Sequence, residues 1–497
     1  MLSGLSARAQ FSTRYDSIAS PDAYTGNFIR DSNGNCIFLS HVGPHYLVAG
    51  DTAGHPVFTT KLRYPDLSLS VGLIETTDSN YVTLCNVATT GNVIQYSKFD
   101  TTGNLLWKKC LTSFAYNNVS PSAICAANDG GGIIVGGGCN SNNMTTRFDV
   151  NGNILWQYQY RDTIVSLGNV VDAIPDGSGF IVVDREFGAG DYFPALIRLD
   201  SAGGISWTHR YYTPGYCHPS RLLRMSDGGY LLGGMYSAAN VTYHSFLARF
   251  DSAGTLLWST IYDSGSDNRL CSVAELSDGR IVFTETGGNN LDQVLVDAAG
   301  NFLWGRILDN SYLAQACVSD AGNGNFYTAG ASKIHVGNLV YNRLWLDKQS
   351  ADSAVFCNSV ALSYNVLPFT LTPQAAHVYP VSLNFVLTAG SVSDSAMVLT
   401  ETSLSCPPLV TSLPEISSAD AGIFPNPVTA DGPLMSREYI ESGSVAMYDV
   451  TGQLLLTKPL SGTTVLFDNL AEFANGVYFV KVISGEEEFA AKLLLCR

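Results

Sequence analysis

Hydrophobic and polar residues alternate along most of this chain in short runs, separated by clusters of Gly, Asp, Asn and Ser. A period of two with turn-forming punctuation predicts half-buried β-strands. No stretch sustains the period of an amphipathic helix. The pattern is plainest in Phe250-Asp251-Ser252-Ala253-Gly254-Thr255-Leu256-Leu257-Trp258-Ser259-Thr260-Ile261-Tyr262, which reads as strand, tight turn, strand. Asp251 is suited to accept backbone N–H groups within the turn, and Gly254 to take the positive φ that closes it. Leu256, Trp258, Thr260 and Tyr262 then share one face of the second strand, with Leu257, Ser259 and Ile261 on the other.

This Asp-x-x-Gly-x-x-x-Trp pattern recurs. The turn aspartates are Asp51, Asp100, Asp149, Asp200, Asp251, Asp297 and Asp347, spaced 46 to 51 residues apart. Gly54, Gly103, Gly152, Gly203, Gly254 and Gly300 match; the seventh copy has no such Gly. Seven positions after the Asp stand Trp107, Trp156, Trp207, Trp258 and Trp304, with Phe58 in the first copy and Phe356 as the expected equivalent in the last. A Gly/Asn/Asp turn followed by an apolar strand precedes each copy and occurs eight times, from Asn33–Leu39 to Leu383–Leu387. Each unit thus holds four strands; in the fifth they are Ser220–Ser226, Gly229–Tyr236, Ser245–Phe250 and Leu256–Tyr262. A four-stranded repeat of about 40–50 residues is the signature of a β-propeller blade. The repeated Trp is expected to pack between neighbouring blades, where an aromatic buries the most area.

Phe11-Ser12-Thr13-Arg14-Tyr15-Asp16 is similar to Trp258-Ser259-Thr260-Ile261-Tyr262-Asp263. The N-terminal strand is therefore expected to supply the outer strand of the last blade and remove an open edge. The expected fold is all-β: an eight-bladed propeller over residues 10–404 closed by this strand, or seven-bladed if residues 362–404 do not form a full blade. The repeat resembles the tryptophan-docking motif of eight-bladed quinoprotein-like propellers. That resemblance covers the Asp-x-x-Gly-x-x-x-Trp segment alone and implies fold, not chemistry.

Residues 405–420, beginning near Cys406-Pro407-Pro408, read as a Ser/Pro/Glu-rich linker. Residues 421–497 carry short alternating strands and predict a small Ig-like β-sandwich. Three ordered blocks stand here: Phe424-Pro425-Asn426-Pro427, Val445-Ala446-Met447-Tyr448-Asp449-Val450-Thr451-Gly452, and Asn475-Gly476-Val477-Tyr478-Phe479-Val480-Lys481-Val482. Together with a tail strand containing Lys492, they resemble the C-terminal sorting domain of type IX secretion cargo in Bacteroidetes-type bacteria. The motif positions are Pro425, Asn426, Pro427, Tyr448, Asp449, Gly452, Gly476, Tyr478 and Lys481. The resemblance implies passage through the periplasm and the type IX machinery to the outer surface or the medium, usually with removal of this domain. At the other end, Ala7-Arg8-Ala9 has the small-x-small form of a signal-peptidase site, but residues 1–9 are too few for a charged and an apolar region. They read as the remnant of a truncated signal peptide, with the mature chain beginning at Gln10.

Composition narrows the partners. Only 14% of the 497 residues are charged, and the net charge is −16. An acidic balance without a Lys/Arg cluster argues against nucleic acid and anionic membrane surfaces. No apolar run is long enough to span a membrane. The eleven cysteines are scattered without Cys-x-x-Cys, so neither a zinc site nor a disulfide pairing follows from their spacing.

No catalytic, cofactor or metal site is expected. His41 and His45 flank Val42-Gly43-Pro44, which prevents a helix, and the Glu of a zinc-protease motif is missing. No Gly-x-Ser-x-Gly elbow occurs. The repeated turn resembles the sialidase Asp box, with different spacing, and that box is itself structural. Asp184, Glu186, Glu275 and Glu285 lie in or beside inner strands and are the carboxylates to consider for glycoside hydrolysis. Arg210-Tyr211-Tyr212-Thr213-Pro214-Gly215-Tyr216 reads as a Tyr-rich link between blades. The leading functional expectation is a monomeric, exported binding or adhesion module for glycan or protein. The alternative is a secreted hydrolase of polysaccharide or peptide with a dispersed site.

Overall fold

Gly54, Gly103, Gly152, Gly203, Gly254 and Gly300 all take φ between 76° and 88°, which closes the Asp turns. In the fifth copy Asp251 Oδ1 accepts the Ala253 N–H at 2.9 Å and the Thr255 N–H at 2.7 Å. Partial burial pushes this carboxyl up, but the turn N–H groups outweigh it and hold it below the ordinary range.

The computed structural model describes the backbone of residues 11–404 and 432–495, short connecting segments excepted. The chain divides into two bodies, Met1–Pro407 and Pro408–Arg497. Among the described residues every regular element is a β-strand.

In the first body, six antiparallel units of four sequential strands run from Tyr24 to Leu308. The fifth unit consists of Tyr216–Arg224, Tyr230–Ser237, His244–Phe250 and Leu256–Asp263, close to expectation. It joins the fourth through a single parallel bridge between Tyr192 and Tyr216. The seventh unit takes three strands from Tyr312–Gly322, Asn325–Val336 and Leu339–Ser350. Its fourth strand comes from the N-terminus: Phe11–Ser20 pairs with Leu339–Ser350, Phe11 opposite Lys348 and Tyr15 opposite Leu344.

That pairing corrects the seventh turn. Asp347 lies fully buried within the strand Leu339–Ser350, opposite Ser12, and forms no turn. The partner strand arrives from the other end of the chain, so no hairpin is needed and the turn Gly is missing. Phe356 lies outside the described residues.

Among the described residues, 362–404 do not form an eighth four-stranded unit. From residue 360 onward the chain lays single short strands on the outer edges of successive sheets, in reverse order. Val360–Leu362 joins the sixth unit, Asn365–Pro368 the fifth, Thr372–Gln374 the fourth and Val378–Ser382 the third. Val386–Ala389 joins the second, Ser395–Ala396 the first, and Glu401–Leu404 pairs with the N-terminal strand in the seventh. The segment lacks the Asp-Gly hairpins that fold a chain back on itself. It therefore stays extended and satisfies open edges already present.

The first strand of each unit lies beside that of the next, and Tyr312–Gly322 of the seventh lies beside Tyr24–Arg30 of the first. The apolar cores straddle these junctions. Phe28, Phe38 and Val48 of the first unit pack with Tyr327 and Leu346 of the seventh; Ile74, Val82 and Tyr96 of the second pack with Ile134 and Phe148 of the third.

The repeated Trp docks on the next unit's turn. Trp107 meets Gly152, Trp156 meets Gly203, Trp207 meets Gly254 and Trp258 meets Gly300. The indole N–H of Trp156 donates to the Ser201 carbonyl at 2.9 Å, and that of Trp304 to the Ala351 carbonyl at 2.9 Å. Tyr96, Tyr160 and Tyr262 hydroxyls reach the carbonyls of Gly152, Gly203 and Gly300 at 2.7, 2.8 and 2.7 Å. The Tyr327 hydroxyl carries a like contact from the seventh unit to the Thr52 carbonyl of the first, at 3.2 Å. The five tryptophans of the repeat are half-buried, whereas Trp345 is fully buried.

The second body is one antiparallel sheet ordered Leu454–Phe467, Gly432–Tyr448, Gly476–Ser484, Glu487–Leu495. Val445, Ala446, Met447, Tyr478 and Val480 are buried on it. Among the described residues it is a single sheet rather than the expected sandwich, because two long strands use the residues a second sheet would need. Pro425, Asn426, Pro427 and Gly452 lie outside the described residues, as do residues 1–9 and 405–420.

Candidate functional site

The innermost strands do not pair regularly. Register shifts fall between Thr25 and Asn27, Ser70 and Gly72, Pro121 and Ala123, Val170 and Asp172, Pro219 and Arg221, and Leu270 and Ser272. The skipped residues are Gly26, Val71, Ser122, Val171, Ser220 and Cys271. Each is the extra residue of a β-bulge, a device that re-aims a side chain out of the sheet. Ser122, Val171, Ser220 and Cys271 line one cavity of about 450 Å³, joined by Arg185, His218, Arg221 and Arg269. These residues come from the third to the sixth units, and Ala316 and Cys317 add a wall from the seventh. By strand direction the cavity lies toward the end of the units opposite the Asp-Gly turns.

Arg185 Nη1 stands 3.3 Å from His218 Nδ1. The Arg185 guanidinium lies 5.3 Å over the Tyr192 ring, and that of Arg269 5.5 Å over Tyr243. The His218 ring is 4.8 Å from Tyr192 and 5.9 Å from Tyr243, and stacks near-parallel with Tyr216. Burial, then the charges of Arg185 and Arg269, push His218 down to about 4, so its imidazole is neutral at pH 7. Arg221 donates to the Ser220 carbonyl at 3.0 Å. Burial pushes the Cys271 thiol up to about 12, which keeps it protonated and unreactive.

The carboxylates singled out from the sequence are elsewhere engaged. Asp184 accepts from Asn143 Nδ2 at 2.8 Å. Glu186 is paired with Arg210, which also holds Asp162 at 2.8 Å; burial pushes Glu186 up to about 7. Glu275 accepts the Ser226 N–H at 2.6 Å and hydroxyl at 2.8 Å, clamping the sixth unit to a turn of the fifth. Glu285 accepts from Asn268 Nδ2 and the Tyr364 hydroxyl, and burial pushes it up to about 7, as it does neighbouring Asp292. None of the four candidates lines the cavity.

The Tyr-rich link divides its roles. Tyr211 is buried and donates to the Gly254 carbonyl, Tyr212 donates to Asp191 at 3.1 Å, and Tyr216 reaches the His218 cluster. The backbones of His41 and His45 are paired in register between the strands Cys36–His41 and His45–Gly50. Among the described residues no group of three or more His, Cys, Asp or Glu side chains is placed to hold a metal ion. Cys36, Cys110, Cys125, Cys217 and Cys317 are free thiols. In the second body Tyr478 is buried, while Tyr448, Asp449 and Lys481 are half-buried.

Arg185, His218, Arg221 and Arg269 form no local cluster in the sequence. One signal was present. The residues following the bulges are Asn27, Gly72, Ala123, Asp172, Arg221 and Ser272, and Arg221 is the only cation among them.

No curated protein matches the chain in sequence. A protein of unknown function from Bacteroides caccae is 9% identical, with a TM-score of 0.38 over 62% of this chain and 98% of its own. One from Dyadobacter fermentans is 10% identical, with a TM-score of 0.37 over 66% and 95%. Prolyl oligopeptidase B from Galerina marginata is 13% identical, with a TM-score of 0.39 over 69% and 51%. Among the described residues no helix is long and apolar enough to cross a membrane. Residues 422–495 match the family model described as the secretion system C-terminal sorting domain, which supports export of this chain as type IX secretion cargo to the cell surface or extracellular space.

Proposed function

We propose that residues 10–404 are a seven-bladed propeller that type IX secretion delivers outside the cell, where it acts as a monomeric binding module. Seven four-stranded units with adjoining first strands, the seventh beside the first, support that blade count. The binding role rests on one observation: bulged inner strands of several units converge their side chains on a single cavity of about 450 Å³. That size suits a small ligand or the tip of a larger one. Residues 421–497 serve as the sorting domain recognised by the secretion machinery, with residues 405–420 as the linker.

Deletion of residues 421–497 tests the export half of the reading. The truncated chain is expected to remain in the periplasm, and surface delivery without those residues overturns it. Glycan- and protein-array binding with parallel turnover assays on the full chain tests the other half. Turnover lost on substitution of a single carboxylate would replace the binding module with a hydrolase.

A further inference from the structure

The cavity is electrostatically at odds with the rest of the molecule. The chain carries a net charge of −16, yet among the described residues three arginines and no carboxylate line this space. Guanidinium groups placed together in a partly desolvated cavity repel one another unless an anion offsets them.

The nearby carboxylates do so poorly. Asp172 interacts with Arg221, but its oxygens accept the Leu222 N–H at 2.8 Å and the Ala173 N–H at 2.9 Å. Asp267 stands 3.6 Å from Arg269 on the exposed rim. Arg185 has its Nε buried without a hydrogen-bond partner among the described residues, and its Nη1 faces the neutral His218 ring. The fork geometry of guanidinium matches a carboxylate bidentately. Beside the lining residue His218 pack three flat, half-buried rings, Tyr192, Tyr216 and Tyr243. Such amphipathic rings suit the apolar face of a pyranose better than the side chains of an extended acidic peptide.

We infer that the cavity lined by Arg185, Arg221 and Arg269, with Tyr192, Tyr216 and Tyr243 packed beside it around His218, binds a carboxylate-bearing sugar, a uronate unit of an acidic glycan. This rests on the binding-module reading and names its ligand class. The arginines take the carboxylate and the tyrosines take the ring.

Calorimetry on the full chain with a galacturonic acid trisaccharide, its methyl ester and a triglutamate peptide tests the inference. The acid is expected to bind saturably, and the ester, which keeps the rings and removes the charge, at least tenfold more weakly. Arg221→Gln and Arg185→Gln are each expected to weaken the acid at least tenfold. Arg269→Gln sits on the exposed rim, where folding is insensitive to it, and is expected to weaken the acid severalfold and flatten its salt dependence. Equal binding of ester and acid, preference for triglutamate, or no saturable binding at millimolar sugar each overturns the inference. Array binding of a neutral glycan that survives all three substitutions would leave the binding module standing and remove only the uronate site. Turnover would remove the module itself.

Discussion

Arg185 Nη1 lies 3.3 Å from Nδ1 of His218, bridging the fourth and fifth units at the cavity. The guanidinium is a donor only, so His218 Nδ1 accepts and the imidazole proton sits on Nε2. Folding lowers this group from its ordinary 6.5 to about 4. Between those values the unfolded chain binds the extra proton and the folded chain does not, so this residue's contribution to stability falls as pH drops through that window. Chemical denaturation of His218→Gln and the parent at pH 7.5 and 4.5 measures it. The variant is expected to lose less stability on acidification, and an equal loss would refute the assignment.

Glu285 and Asp292 act in the opposite sense. Both are pushed up to about 7 by burial, from 4.5 and 3.8. Between the ordinary and folded values the folded chain holds the protons, so stability is greatest in acid and is lost as pH rises through 7. Glu285→Gln keeps an acceptor for Asn268 and Tyr364 and removes the charge. It is expected to raise the melting temperature at pH 8, with the gain shrinking towards pH 5. A variant less stable than the parent at pH 8 would show the carboxylate itself to be required.

The docking of Trp258 on Gly300 sets a coupled pair of changes. A Cβ on Gly300 would lie 2.8 Å from the Trp258 ring, at a φ of +83° that strains an L-residue. Gly300→Ala is expected to cost about 1–3 kcal/mol. Trp258→Ala is expected to cost about 2–3 kcal/mol, below the 3–5 of a fully buried aromatic, because the indole is half-buried. In denaturant titrations the double change should cost less than the sum, since removing the ring makes room for the methyl. Strict additivity would mean the two do not touch.

The edge segment is held by a few anchors. Phe369 is buried against Tyr236 and Phe246, with ring centroids 4.8 and 5.1 Å away, and the Ser259 hydroxyl donates to its carbonyl. The adjoining strands Asn365–Pro368 and Thr372–Gln374 are exposed throughout. Phe369→Ala is expected to cost about 3 kcal/mol and to speed hydrogen exchange first at residues 365–374. Unchanged exchange there would show that the strand pairing alone holds the segment.

Much of this molecule was legible in residue order because its repeated parts are local. An Asp that accepts N–H groups two and four residues on, with a Gly at positive φ between them, closes the same turn wherever it occurs. The Trp seven residues later then falls on a fixed face. The three blocks at the C-terminal end were readable for the same reason, each being a short contiguous run. What tertiary structure decided depends on residues far apart. Asp347 repeats the spacing of a turn yet lies in a strand, because its partner comes from Phe11–Ser20. Residues 360–404 look like a failed eighth repeat, but seven open sheet edges draw them out one short strand at a time. The cavity follows the same logic: a bulge aims Ser220 and its neighbours inward, but only the side-by-side packing of the fourth, fifth and sixth units brings Arg185, Arg221 and Arg269 to one space. Hydrogen bonds within a turn are encoded by adjacent residues, whereas the company a side chain keeps across a sheet stack is set by every unit between.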